Sequence, residues 1–320
     1  MSENTSQELE QEQKQELTIS DVLSKLEEIK ALITDKEEDL FSLELSEDLK
    51  PLNIPKRKYK YGLKFDRPNK PKIMKIWSHE QITLPSSVDL RNEYMPPVFD
   101  QGQLGSCTAN ALSGAFSYQY NVEFKKQFIP SRLFIYYNER SLEGTVTTDS
   151  GAAISDGVKV LETIGTCQES TWPYIISKFT VKPPSKDYQY ALKQKVVKVT
   201  QIDTNVNSFK TALTNGYPVV FGFSVPATVE NIGSDGFMPP YDQNNPADQI
   251  LGGHAVCMVG YNDNLTDGKN PPGYFIVRNS WGTSYAVNGY FYMPYSFFSS
   301  NLISDCWVLD IVTNKIPKQA

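Results

Sequence analysis

The chain predicts an α+β protein with two segregated lobes, and three observations carry that expectation. Helical patterning comes first, at 107–120, 131–140, 152–164 and 208–214. Strand-like runs rich in Val, Ile, Tyr and Phe, with Gly or Pro at their ends, follow at 217–225, 254–261, 273–278, 289–293 and 307–312. The two kinds of element do not alternate, as βαβ units of a parallel sheet would require. A chain of 320 residues with 40% hydrophobic and 21% charged side chains has the composition of an ordinary globular protein, long enough for two domains or one two-lobed one.

Not all of it reads as globular. Residues 1–49 hold 15 acidic and 4 basic side chains, residues 50–78 hold 1 and 10, and the remaining 242 hold 21 and 17. Such breaks separate a tail from a folded domain, so 1–80 is taken as an N-terminal extension and 81–320 as the main domain. The extension begins with a Glu/Gln-rich run too polar to fold. Ile19, Val22, Leu23, Leu26, Ile29, Leu32 and Ile33 then recur at helical spacing, which predicts one amphipathic helix within 20–40. The basic stretch mixes Lys and Arg with Pro, Tyr and Gly and reads as extended. Basic residues interleaved with tyrosines suit phosphates and bases, but a solvated linker is the favoured reading and a nucleic-acid partner is not. No run of 18 apolar residues exists to span a bilayer, and no apolar stretch near Met1 looks like a secretory signal, so an intracellular, cytoplasmic (or virion) location is expected. Cys107, Cys167, Cys257 and Cys306 are too few and scattered for a disulfide framework, and none forms a C-x-x-C pair for zinc.

Three short segments carry chemistry. In Gln101-Gly102-Gln103-Leu104-Gly105-Ser106-Cys107 a flexible turn runs into a helical pattern with Cys107 at its start. A cysteine there feels the positive end of the helix macrodipole, which favours thiolate. Gln101, six residues earlier, is placed for its amide to join the Cys107 backbone N–H in an oxyanion hole. In Leu251-Gly252-Gly253-His254-Ala255-Val256, His254 opens an apolar strand just after two glycines. In Arg278-Asn279-Ser280-Trp281-Gly282 a strand ends in a turn, where Asn279 suits the role of holding an imidazole and Trp281 that of keeping water off the bond. Each segment also has a bland reading: a buried cysteine, a core histidine, an asparagine turn.

Together the three segments resemble the papain-like cysteine protease family, in which Cys, His and Asn come in this chain order. Cys107 precedes His254 by 147 residues and Asn279 by 172, the second beyond the family's usual ~130–150 spacing. A polar insertion at 262–273 accounts for the excess as a longer loop between two strands. The resemblance runs from about Leu84 to Asp310 and leaves out the first 80 residues. It implies a papain-like two-lobed fold, a helical lobe and a β-barrel-like lobe with a cleft between them. It makes Cys107 the nucleophile, His254 the base, Asn279 its orienting partner, Gln101 the oxyanion residue and Trp281 the shield. Ser150 and Gly151 stand where the family's glycine pair hydrogen-bonds an extended substrate. Departures are Thr108 for the usual Trp after the nucleophile, Leu104 for a disulfide cysteine and Tyr285 for a second Trp. Together with Ser131-Arg132-Leu133-Phe134-Ile135-Tyr136-Tyr137 and Thr171-Trp172-Pro173-Tyr174, they resemble disulfide-poor members from bacteria and large DNA viruses.

The implied activity is peptide-bond hydrolysis through a thioester acyl-enzyme, with a protein or peptide substrate and no metal or organic cofactor. His79 and His254 are the chain's two histidines. None is left for the occluding loop of the family's dipeptide-trimming members, so an endopeptidase is expected. Asp305 is expected near the base of the S2 pocket, where it either favours a basic side chain or is a solvated turn carboxylate. The extension is expected to act as a prosegment, its basic stretch in the cleft as an intramolecular inhibitor. The rival readings are a papain-fold binding or scaffold protein without turnover, and an acyltransferase using the same triad.

Overall fold

The computed structural model describes residues 57–66, 83–196 and 198–311. The helix expected within 20–40, the acidic tail, His79 and the rest of the basic stretch lie outside the described residues. Contacts divide the chain between Pro55 and Lys56, and every described residue belongs to the second unit.

Helix α1, Cys107–Phe124, is the centre of the helical part. Every residue from Cys107 to Gln119 is buried. A helix covered on all sides is a core helix, and small residues at Ala109, Ala111, Ser113, Gly114 and Ala115 let its neighbours come close. Helix α2, Arg132–Glu143, starts at Ser131, whose side chain accepts the Phe134 N–H, and stops at Gly144 in the left-handed region. Helices α3 (Ile154–Thr163), α4 (Ser185–Ala191) and α5 (Val206–Thr214) follow, the last capped by Asn205 on the Ser208 N–H.

Seven antiparallel strands form one sheet: β1 (Ser87–Asp89), β2 (Lys198–Gln201), β3 (Val219–Pro226), β4 (Ile250–Asn262), β5 (Tyr274–Arg278), β6 (Tyr290–Pro294) and β7 (Ile303–Asp310). The order is β2-β7-β3-β4-β5-β6, with β1 on β4. The path has two ends, so the barrel-like lobe is a curled ladder whose end strands β2 and β6 do not pair among the described residues. Buried Phe209, Phe221, Phe223, Phe275, Phe291 and Phe297 fill its inner side. Residues 263–273 form the expected long loop between β4 and β5. In the β3–β7 ladder Val220 faces Trp307 but Gly222 faces Ser304, so β7 bulges at Asp305, whose φ is 46°.

Two features of this fold position the site. Helix α1 packs against β4, which brings the helix start to the strand that carries His254. The antiparallel register sets Arg278 opposite Cys257, so the chain leaving β5 passes back along β4 toward His254. No helix among the described residues is long and apolar enough to cross a membrane.

Candidate active site

Cys107 is the first residue of α1 and fully buried. The backbone N–H groups of Ala255, Gly62 and Thr108 point at its sulfur. His254 is also fully buried, and its Nε2 shares a 2.8 Å hydrogen bond with Asn279 Oδ1. That contact uses one ring nitrogen. Nδ1 is buried without a partner, and no hydrogen bond joins it to the thiol. Trp281 stacks on the imidazole with ring centroids 4.7 Å apart, and Tyr285 meets Trp281 edge-on at 4.8 Å.

Burial dominates the electrostatics of this pair. It pushes the thiol up to about 11, with a smaller push from Glu139, against the pull of the three backbone donors. It pulls the imidazole down to about 4, against the Asn279 bond. Thiol and imidazole are therefore both neutral near pH 7 while the site is covered.

The cover is the chain's own residues 57–66. Ala152 N–H donates to Gly62 O at 2.8 Å and Lys64 N–H to Ala152 O at 2.9 Å, a parallel bridge centred on Leu63. On the sheet side Leu63 N–H donates to Gly253 O at 3.1 Å. Tyr59 lies flat on Trp281 at 4.0 Å, and Tyr61 sits edge-on to both His254 and Trp281. Leu63 is buried, its side chain crowding Gly222 together with Ser304 and Ile154. Gly62 permits the passage, because a Cβ there would stand 1.8 Å from Gly105 O. Gly151, at φ +70°, has the same duty on the opposite side, where a Cβ would lie 2.0 Å from Gly62 O.

Gln101 is fully buried. Its Nε2 donates to Lys60 O and to Leu104 O, both at 3.0 Å. Ser280 Oγ donates to Gln101 Oε1 at 2.7 Å, which fixes the amide with its N–H groups toward the cleft. Ser280 also gives its N–H to Asn279 Oδ1 and accepts the Gln101 N–H, so one residue ties the oxyanion side to the imidazole side.

Cys107, His254, Asn279, Gln101 and Trp281 thus lie together along one cleft. Ser150 lines the same wall, its Oγ 3.1 Å from Lys64 Nζ. Gly151 is there for clearance, and the two backbone bonds to the segment belong to its neighbour Ala152. At the apolar pocket the β7 residue beside Leu63 is Ser304, while Asp305 occupies the bulge. The departures from the family pattern are accommodated. Leu104 is buried, Tyr285 gives its hydroxyl to Val229 O, and Thr108 Oγ1 donates to Glu139 Oε2 at 2.9 Å. All four cysteines are free. Sequence reasoning missed Ser280, Ala152, Asp149 and Glu230. For Ser280 a signal existed in its position between Asn279 and Trp281, whereas nothing local marks the two carboxylates.

Comparison with known proteins places this geometry. The model of the papain family cysteine proteases matches residues 84–306, well over half the chain.

The chain belongs to the papain family of cysteine proteases.

An uncharacterised peptidase C1-like protein of Acanthamoeba polyphaga mimivirus is 44% identical over 68% of this chain and 70% of its own. Procathepsin L of Felis catus is 27% identical over 72% and 67%. Among solved structures, xylellain, a cysteine protease from Xylella fastidiosa, superposes with a TM-score of 0.71 at 37% identity, covering 81% of this chain and 99% of that one. A digestive procathepsin L from Tenebrio molitor larval midgut gives 0.57 at 19% identity over 78% and 75%, a likeness of fold alone. The viral and bacterial relatives agree with the disulfide-poor branch that the sequence suggested.

Proposed function

We propose that this papain-family protease is an endopeptidase made as a zymogen. Cys107 acts as nucleophile, His254 as base and then acid, Asn279 as the group orienting the imidazole, and Gln101 as oxyanion donor. The observation that carries the reading is the convergence of the Cys107 thiol, the His254–Asn279 pair and the Gln101 amide on one strip of the cleft, occupied by residues 57–66.

The chemistry follows from the contacts. Attack by the Cys107 sulfur on a peptide carbonyl forms a C–S bond and places negative charge on the oxygen, faced by the Gln101 Nε2–H that now holds Lys60 O. The thiol proton goes to the free Nδ1 of His254, the ring nitrogen that Asn279 does not use. His254 passes that proton to the leaving amine as the C–N bond breaks. It then takes one from water as water attacks the thioester, and gives it back to the Cys107 sulfur as the C–S bond breaks and the carboxylic acid leaves.

The covered form resists this sequence for two reasons. The nucleophile faces the Gly62 N–H while the oxyanion amide holds the Lys60 carbonyl, so no single peptide bond is addressed by both. Dehydration under the segment also keeps thiol and imidazole neutral. Release of 57–66 readmits water, and the pair then ionises as one coupled unit. The pocket holding Leu63 supports an aliphatic side chain as its preferred occupant, not the basic one that Asp305 would favour. Glu230, which accepts the Tyr61 hydroxyl, would repel a terminal carboxylate, in keeping with internal cleavage.

The test is incubation of the purified full-length chain under reducing conditions, with Cys107→Ala alongside. The expected result is a shortened form starting between about residues 55 and 85, appearing with peptidase activity, and neither in the variant. Peptide cleavage at constant intact mass would overturn the zymogen reading. Equal turnover by Cys107→Ala would overturn the nucleophile. Loss of the acyl group mainly to an added amine, with little hydrolysis, would favour an acyltransferase.

A further inference from the structure

Two sequence motifs take no part in the chemistry above, yet they meet at the turn that carries it. Ser131 opens α2, and its Oγ donates to Trp172 O at 2.6 Å while accepting the Phe134 N–H. The start of α2 is thereby fastened to the Trp172-Pro173-Tyr174 stretch. Arg132, next along, lies 4.0 Å from the centre of the Tyr174 ring and forms a two-pronged pair with Glu169, at 2.8 and 2.6 Å. Tyr174 then extends its hydroxyl into the turn 101–107. It donates to Gln101 O at 3.0 Å and stands 2.5 Å from Ser106 Oγ. One oxygen thus touches both ends of the turn, at the oxyanion residue and at the residue before the nucleophile.

The direction of these bonds is fixed by Arg132, which can only donate. Its Nη1 gives one bond to Asn110 Oδ1 at 3.0 Å and another to Asp100 O at 3.2 Å. Asn110 Nδ2 therefore faces Ser106, donating to its Oγ at 3.0 Å and to its carbonyl at 2.9 Å. Since the Tyr174 proton goes to Gln101 O, Ser106 must donate to Tyr174. The result is a directed chain from a guanidinium through Asn110, Ser106 and Tyr174 to the Gln101 carbonyl. Arg132, Asn110 and Ser106 are buried, which shields these bonds from water, and bonds linked in this way polarise and strengthen one another. Ser280 holds the amide end of Gln101, and Tyr174 holds its backbone end.

We propose that Tyr174 is a positioning residue: its hydroxyl, oriented by Arg132 through Asn110 and Ser106, sets the distance between the Gln101 amide and the Cys107 sulfur. The turn contains Gly102, at φ 57°, and Gly105, and it carries two groups that must act on one carbonyl. A tie across its two ends removes the slack that glycines leave in a backbone, and slack between reacting groups is costly in rate. The inference rests on the protease reading above and deepens it.

The test is a double-mutant cycle on the active enzyme prepared from the full chain. Turnover of a fluorogenic peptide is expressed per mole of folded protein, the folded fraction being read from circular dichroism. Tyr174→Phe keeps the ring beside Arg132 and deletes the hydroxyl. It is expected to lower kcat about 10-fold and to leave KM within about 2-fold. In a Gln101→Ala background the same change should cost less than about 3-fold, because the amide it aligns is gone. Ser106→Ala removes the other end of the tie, should repeat this pattern, and stands in if Tyr174→Phe does not fold. A merely structural hydroxyl would lower the melting temperature and the folded fraction but not kcat per folded mole, and that result overturns the proposal. So does an equal cost with and without Gln101, or a loss carried by KM. If Gln101→Ala alone leaves kcat unchanged, the oxyanion assignment fails and the proposal falls with it. Absence of turnover in the unsubstituted enzyme overturns the protease reading itself, and the positioning role with it.

Discussion

The two walls of the cleft hold the same ten-residue segment by different physics. The helical wall grips it through polar groups: the Ala152 backbone, the Gln101 amide, and Asp149 and Glu143 for its lysines. The sheet wall grips it mainly through rings, with Tyr59 on Trp281 and Tyr61 against His254. Polar contacts exchange with water and are worth little net, whereas stacked rings also keep water away. The helical wall thus holds the backbone and the charges of the segment, and the sheet wall sets how dry the imidazole becomes.

That division can be broken from either side. The largest effect is expected at Gln101. Gln101→Ala removes the buried donor proposed for the oxyanion and should lower kcat by about 10²–10³-fold with a smaller change in KM, read from steady-state kinetics of the active enzyme. An equal change in both parameters would mean that the amide only binds.

Next is the cover itself. Gly62→Val places carbon where Gly105 O already stands, so the segment must lift. Iodoacetamide labelling of Cys107 in the full chain at pH 7 is expected to quicken at least ~10-fold, because rehydration lets the thiolate form. An unchanged rate would show that the segment does not control the sulfur.

The smallest effect sharpens the account of the helical wall. Glu139 on α2 is fully buried, and burial raises its carboxyl from 4.5 to about 8. Thr108, which donates to Oε2, opposes the rise, while Glu143 and Asp156 add to it and Arg140 opposes it. A carboxyl whose pKa is raised on folding stays protonated in the native state when the unfolded chain has already ionised. Its effect on stability therefore worsens as pH climbs from about 4.5 to 8. Glu139→Gln should melt several degrees above wild type at pH 8 and show no such gain at pH 4.5. The opposite order at pH 8 would mean that Glu139 is native as the anion.

Much of the site was legible because its chemistry is local. Cys107 follows a glycine-rich turn into a helix, His254 opens an apolar strand, and Asn279 and Trp281 share one turn. The unread parts depend on contacts between distant residues. Glu230 meets Lys58 across 172 positions, and Asp149 meets Gly105 across 44. That the segment's two backbone bonds on this wall go to Ala152 and not to Gly151 turns on one residue of register, and motif spacing does not resolve that. The fold was read for its long elements. Strands β1 and β2, of 3 and 4 residues, and helix α4, of 7, are too short for periodicity to show. The aim of Asp305 was not legible for a related reason, since a bulge in β7 re-aims side chains without leaving a mark in composition.

The plug is part of the polypeptide it closes, joined to the protease body through 67–82. A ligand carried on the same chain as its site is held at an effective concentration that dilution of the molecule does not lower. On the zymogen reading, residues 57–66 therefore need only modest intrinsic affinity to silence the molecule. Once cut free they would dilute away, which makes a single excision a one-way event.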